Sequence, residues 1–245
     1  MSKKTVRIAG ILGGMGPEAT ARFFELVVKN TDAACDQDHL KIIVCNWPQI
    51  PDRTGAILYG GENPVPLMIE GLKILERAGA ELVAIPCMTA HHFLPELRKR
   101  TRLRLLDLVA ATASWTESNL PEARTVGLLA TEGTVATGLF QKAFRRRTMK
   151  IILPTPKSQK KIMEAIYGKR GIKAGFGPGR PARLLRESAQ ELVEAGARAI
   201  IAGCTEIPLA LKPERLPVPL IDPMTIGARE LIRQAGGRLR KIPVS

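Results

Sequence analysis

Aromatic side chains are scarce in this chain, 4% of 245 residues, and none is interleaved with its basic clusters. With no helix-turn-helix or zinc-finger spacing either, specific reading of nucleic acid has little support. Cysteine is also sparse: Cys35, Cys45, Cys87 and Cys204 show no close framework spacing, and no signal peptide stands ahead of them. That argues against a disulfide scaffold and for reduced thiols in a cytoplasmic protein. Long apolar runs are missing as well. Val6 to Leu12 is far too short to span a bilayer and runs into glycines and a proline, so a soluble protein with no membrane partner is expected. The turn Gly13-Gly14-Met15-Gly16 is neither the spaced dinucleotide fingerprint nor a phosphate loop ending in Gly-Lys-Thr, which leaves a nucleotide reading weak. A zinc site drawn from Cys87, His91, His92 and Cys204 lacks a second close pair of thiols, and no metal is expected.

Positive charge, by contrast, is in excess. A formal net charge of +14 points to an anionic partner, whether nucleic acid, membrane surface or small acid, without choosing among them. The densest clusters are Arg98-Lys99-Arg100 with Arg102 and Arg104, Arg145-Arg146-Arg147, and Arg238 to Lys241. They read as solvated faces whose adhesion to nucleic acid is nonspecific and confined to low salt. Hydrophobic content of 45% is ample for cores.

The chain repeats itself. Pro86-Cys87-Met88-Thr89-Ala90-His91 is answered 117 residues later by Gly203-Cys204-Thr205-Glu206-Ile207-Pro208, and each cysteine ends an apolar run that follows a Gly-Ala pair. The same offset lays Gly10 on Gly127, Leu12 on Leu129, Gly16 on Gly133, Thr20 on Thr137 and Phe23 on Phe140. A repeat this long is a domain rather than a solenoid unit. The expectation is an α/β fold of two pseudo-symmetric doubly wound domains with mostly parallel sheets, 1–115 and 116–245, the helix over 224–235 able to return to the first. Each cysteine then stands at the carboxyl end of a buried strand, where open α/β sheets bind ligands, and the active site falls in the inter-domain cleft.

Along the chain, Val6 to Leu12 reads as a strand, and the glycine turn after it opens a helix running through Val28. Free amides at that turn favour an anion. Lys41 to Cys45 is a strand in which Cys45 reads as inert core. The loop behind it, fixed by Pro48 and Pro51, ends at Arg53, either a clamp for a carboxylate or a surface arginine paired with Asp52 or Glu62. Helical spacing over 64–78 stops at Gly79, and a strand delivers Cys87 to a helix over 90–99, whose dipole and a nearby His91 would favour the thiolate. In the second half, Thr131 and Thr134 follow a strand with hydroxyls and amides able to hold a carboxylate. Gln159 to Arg183 starts as a helix and then passes through five glycines, Lys169, Lys173 and Arg180. That stretch reads as a mobile basic lid over an anionic substrate or as a plain soluble loop. A helix over 182–195 leads to Cys204, and a strand over 218–221 precedes the last helix.

Gly13-Gly14-Met15-Gly16-Pro17, Pro48-Gln49-Ile50-Pro51-Asp52-Arg53, Pro86-Cys87 with Thr89-Ala90-His91, Ala130-Thr131-Glu132-Gly133-Thr134 and Gly203-Cys204-Thr205-Glu206 together resemble the aspartate/glutamate racemase superfamily, most closely its aspartate racemase branch. The resemblance runs in order from about Val6 to Asp222. It implies a cofactor-independent amino-acid racemase, an isomerase acting on a small acidic amino acid and assembled as a homodimer, with Cys87 and Cys204 as the catalytic pair. It further implies that Arg53 and Lys173 hold the side-chain carboxylate, and that Thr89, Thr131, Thr134 and Thr205 line the site for the carboxylate and amine on the central carbon. Met15, Gly16, Asn46, Met88 and Glu206 complete the substrate-binding set. Met88 stands where the family usually has asparagine, so one polar anchor is missing.

The chemistry of the residues points the same way. Inverting a carbon acid requires a base on one face and a proton donor on the other. Two cysteines on equivalent halves suit that task, one as thiolate and the other as thiol. Met88 also motivates two alternatives: a cysteine-dependent isomerase or decarboxylase of a dicarboxylate, and a non-catalytic ligand-binding homologue.

Overall fold

A computed structural model describes residues 6–241. The chain divides into two compact units: one holds residues up to Asp52, Gly61–Leu108 and the chain from Met224 on, and the other holds Arg53–Gly60 and Val109–Pro223. The chain thus passes between the units four times, at 52/53, 60/61, 108/109 and 223/224.

In the first unit, strands β1 (Ala9–Gly13), β2 (Ile42–Asn46), β3 (Leu82–Ala84) and β4 (Arg104–Leu105) form one sheet in the order β2-β1-β3-β4, with every neighbouring pair parallel. The second unit repeats the pattern: β5 (Thr125–Leu129), β6 (Lys150–Ile152), β7 (Ala199–Ala202) and β8 (Leu220–Ile221) lie in the order β6-β5-β7-β8, again all parallel. All of β1, β3 and β7 and nearly all of β5 are buried, which is why they read as unbroken apolar runs without alternation.

The helices of the first unit are α1 (Pro17–Asn30), α3 (Val65–Arg77), the four-residue α4 (Leu94–Leu97) and α11 (Pro223–Ala235); those of the second are α2 (Arg53–Leu58), α6 (Glu132–Thr137), α7 (Leu139–Arg145), α8 (Pro156–Tyr167), α9 (Arg180–Glu194) and α10 (Ile207–Ala210). Helix α5 (Leu108–Asn119) carries the chain from one unit to the other. Equivalent helices α3 and α9 both give way at Gly79 and Gly196, each with positive φ.

The helix expected over 90–99 is replaced by a 3-10 turn over Thr89–Phe93 followed by α4. Pro95 is the reason: it lacks an amide hydrogen and clashes with the preceding turn, so it fits only where a helix begins, and it stands in the first turn of α4. The glycine-rich segment after α8 is tightly packed at its start, at Gly168 and Gly171, and open at Gly175 and Gly179. A side chain on Gly171 would come 2.8 Å from the Gly168 nitrogen and 2.9 Å from the Ile166 oxygen, so the glycine serves a close turn. Ile172, on the 3-10 turn Ile172–Ala174, is buried in the core of the second unit.

The last helix belongs to the first unit for a physical reason. Gly227 lies against Leu108 and Phe23, the Arg7 amide donates to the Ala235 carbonyl, and Arg229 donates to the Asn30 side chain at 3.0 Å. The segment 53–60 is held in the second unit by Tyr59, whose hydroxyl donates to Glu132 at 3.0 Å, and by the close packing of Thr54 on Gly133. Phe23 and its repeat mate Phe140 are both fully buried. Replacing either with alanine should cost about 3–5 kcal/mol, measured as a shift in urea midpoint; a loss below 1 kcal/mol would contradict the packing described.

Candidate active site

Each unit presents the same structural invitation. In a sheet of order 2-1-3-4 the chain departs in opposite directions from the two middle strands, and the crevice at their carboxyl ends is where such sheets take ligands. In the first unit those strands are β1 and β3, with Ile11 paired to Ala84 and Gly13 to Asn46, so the glycine turn, Asn46 and the Cys87 loop all leave the same edge. In the second unit they are β5 and β7, with Leu129 paired to Ala202, and Thr131 and Cys204 leave that edge.

On the first unit the turn is packed to its limit. A side chain on Gly14, which has φ of +91°, would come 2.3 Å from the Trp47 carbonyl carbon. The Gly14 amide donates to Thr20 Oγ1 at 2.9 Å, and that hydroxyl donates to the Gly16 carbonyl at 2.8 Å. Met15 and Met88 are buried, Asn46 is exposed at the end of β2, and Thr89 opens the 3-10 turn.

Cys87 is 6% exposed, and its loop is fixed by His91. The His91 Nδ1–H donates to the Cys87 carbonyl at 2.9 Å, while Nε2 accepts the Leu108 amide at 3.0 Å. Both ring nitrogens are therefore committed to backbone, which fixes a neutral tautomer. Burial pushes the imidazole below its ordinary range, and the Asp107 carboxylate, which pulls it upward, does not overcome that. The expectation that a nearby His91 would favour the Cys87 thiolate is corrected: His91 is a neutral bracket between the cysteine loop and the start of α5.

On the second unit the polar groups converge more closely. Cys204 Sγ donates to Glu206 Oε2 at 2.9 Å, the Thr205 hydroxyl donates to the same oxygen at 2.9 Å, and Lys173 Nζ meets Oε1 at 2.6 Å. Cys204 and Glu206 are both buried, at 8% and 4% exposure. Burial and the neighbouring Glu206 charge push the Cys204 thiol well above its ordinary value, with Lys173 opposing. Burial would raise Glu206, but the Lys173 charge and the hydrogen bonds from Cys204, Lys173 and Thr205 hold it below the usual range. Thr131 caps α6, accepting the Thr134 amide at 3.3 Å, with the two hydroxyls 3.1 Å apart.

Arg53 starts α2 and is 7% exposed, so the surface reading of this arginine does not hold. Cys45 is half-buried against α3, and burial raises its thiol, in keeping with a core role. Among the described residues no group of three or more His, Cys, Asp and Glu could hold a metal ion, and no helix is long and apolar enough to cross a membrane. The three basic clusters lie mostly exposed. The Glu206–Lys173 contact and the His91 bracket escaped the sequence: the first joins residues 33 apart across a helix and a strand, and the second depends on backbone groups that leave no compositional mark.

Two parallel α/β sheets, each with a thiol beyond the same switch-point strand, define a class of two-unit cysteine proteins, and known proteins fall into it. Residues 12–231 match the family described as Asp/Glu/hydantoin racemase. The structure of Picrophilus torridus aspartate racemase is similar over 96% of each chain, with a TM-score of 0.81 and 31% identity. An aspartate racemase homologue from Pyrococcus horikoshii OT3 shares the fold at 22% identity and a TM-score of 0.72, over 94% of this chain and 99% of that one. The broad specificity amino-acid racemase RacX of Bacillus subtilis is 27% identical over 221 residues, 87% of this chain and 91% of the other. This chain belongs to the Asp/Glu/hydantoin racemase family. The superfamily, the isomerase class and the two mostly parallel α/β domains expected from the motifs are thereby borne out.

The His91 geometry has a measurable consequence. A histidine whose folded pKa is lowered from about 6.5 binds its proton more readily in the unfolded chain. Its contribution to stability is therefore complete above that value and is lost as pH falls below it, by at most about 1.4 kcal/mol per pH unit. Urea unfolding between about pH 7.5 and 5.5 should show a shallower loss in His91→Gln than in the unaltered protein; equal slopes would contradict the assignment.

Proposed function

We propose that this protein is a cofactor-independent racemase that interconverts the L and D forms of an acidic amino acid, aspartate or glutamate, with Cys87 and Cys204 as its two acid–base groups. The observation that carries the reading is that β3 and β7, the equivalent switch-point strands of two like sheets, each run out into a cysteine. One thiolate removes the hydrogen on the central carbon, and the other thiol delivers a proton to the opposite face. The Cys204 thiol, hydrogen-bonded to a carboxylate, is the proton donor of the free enzyme, which leaves the base role to Cys87.

Racemisation without an electron sink needs fixed donors and charges around the developing carbanion. Arg53 and Lys173 supply cations suited to the side-chain carboxylate. Thr89, Thr131, Thr134 and Thr205 supply hydroxyls and backbone amides for the groups on the reacting carbon, and Met15, Gly16, Asn46, Met88 and Glu206 complete the lining. Support for an acidic substrate comes from the Picrophilus torridus relative, named an aspartate racemase. A wider substrate range is the second reading, favoured by Met88. It is a buried thioether where an asparagine would offer a donor and an acceptor, and the Bacillus subtilis relative is named for broad specificity. A homodimer acting in the cytoplasm belongs to the same reading. Its support is the resemblance and the presence of four free cysteines.

The test is incubation of single-enantiomer amino acids in deuterated water, read by chiral chromatography and mass. L- or D-aspartate or glutamate should become racemic and acquire deuterium on the central carbon. Cys87→Ala and Cys204→Ala should each lose about 10²-fold or more of the rate. Retention of the original hydrogen in both directions, or full activity without either thiol, would overturn the reading. Turnover of neutral amino acids at comparable rates would select the wider range.

A further inference from the structure

Cys204, Glu206 and Lys173 form a chain of contacts whose order matters. The Glu206 carboxylate lies between the thiol and the ammonium, with Oε2 on the sulfur at 2.9 Å and Oε1 on the lysine at 2.6 Å. Lys173 comes from the 3-10 turn after α8 and is part-exposed, its Nζ 5.5 Å from the centre of the Tyr167 ring. The charged groups acting on Cys204 are Glu206 on its own loop and Lys173 on that turn, and the Tyr167 ring of α8 lies beside the lysine. The Thr205 hydroxyl fixes the carboxylate in place at 2.9 Å.

From this order of contacts we propose that Glu206 and Lys173 are positioning residues for the proton on Cys204: the carboxylate holds the thiol protonated, and the ammonium limits how strongly it does so. The inference rests on the racemase reading for its purpose, but its geometry lies wholly within the second unit. A carboxylate against a thiol opposes ionisation twice, because it repels the thiolate and because ionisation removes the S–H it accepts. The lysine acts in the opposite sense, since it offsets the carboxylate charge and favours any anion on the sulfur. The directions of the Cys204 and Glu206 shifts agree with this arrangement. When Cys204 acts as the acid its S–H bond breaks, the electron pair stays on sulfur, and the proton passes to the substrate carbon. Lys173 then faces two anions where it faced one. Glu206, part of the lining proposed above, acts on this proton through the sulfur, and Lys173 does so through Glu206 while its charge also suits the substrate carboxylate.

The two residues have opposite signatures, which packing defects would not produce. Alkylation of Cys204 by iodoacetamide, followed on its own peptide across about pH 6 to 11, reads the thiolate population directly. Glu206→Gln, close to isosteric, should lower the alkylation midpoint by about one unit or more. Lys173→Met should slow alkylation about tenfold at a given pH, and Lys173→Arg, which keeps the charge, should restore it. A Glu206→Gln midpoint that stays in place or rises overturns the proposal. If that variant does not fold, the part-exposed Lys173 decides: equal alkylation in Lys173→Met and Lys173→Arg overturns it as well. The readout needs no turnover. An inactive protein with the expected shifts would therefore sink the racemase reading alone, and an active racemase with unmoved midpoints would sink this one alone.

Discussion

A parallel strand can be entered only from one end, and that constraint governs this protein. Because β1 to β4 run the same way, and β5 to β8 do so in their own sheet, every strand in a unit discharges its following loop at one edge. The two middle strands send their chains to opposite faces, and a gap opens between the loops that no hydrogen-bonded backbone fills. The buried runs before Cys87 and Cys204 set where those loops begin. Glycines, threonines and a histidine decide how rigidly they are held. The thiols are products of strand direction before they are products of chemistry.

The two cysteines are held by different means. The loop of Cys87 is secured through backbone, by a neutral imidazole that uses both of its nitrogens. The side chain of Cys204 is secured through its sulfur, by a carboxylate that is itself neutralised by a lysine. Mirror-image amino acids have equal free energies, so a racemase has the same kcat/KM in either direction whatever its side chains do. Unequal thiols can express themselves only in kcat and KM taken separately. A carboxylate beside one sulfur is therefore compatible with a reaction that must be symmetric at equilibrium.

Much of the fold was legible because the repeat and the apolar periodicity agreed. The 117-residue offset found β3 against β7 and α3 against α9. What escaped has identifiable causes. Helix α5 buries Thr112 and Thr116 while showing Ala110 and Ser114 outward, so its two faces differ little in polarity and no stripe stands out. Pro95 broke a helix that its neighbours' spacing suggested. Gly168 and Gly171, ahead of Lys173, read as slack but serve a close turn, which composition cannot distinguish from the open positions at Gly175 and Gly179. Motif resemblance proposes the candidate site as a set of residues. The hydrogen bonds that give Glu206 and His91 their roles join distant segments and were not legible.

The central claim, that the two thiols serve opposite faces of one carbon, is tested most directly by one-sided exchange. With a single base left, each variant can take and return the hydrogen of only the enantiomer whose hydrogen faces it. Cys87→Ser and Cys204→Ser, incubated separately with each enantiomer in deuterated water, should each label one enantiomer without inverting it, and the two variants should label opposite ones. Labelling of the same enantiomer by both variants, or of both enantiomers by either, would contradict the account.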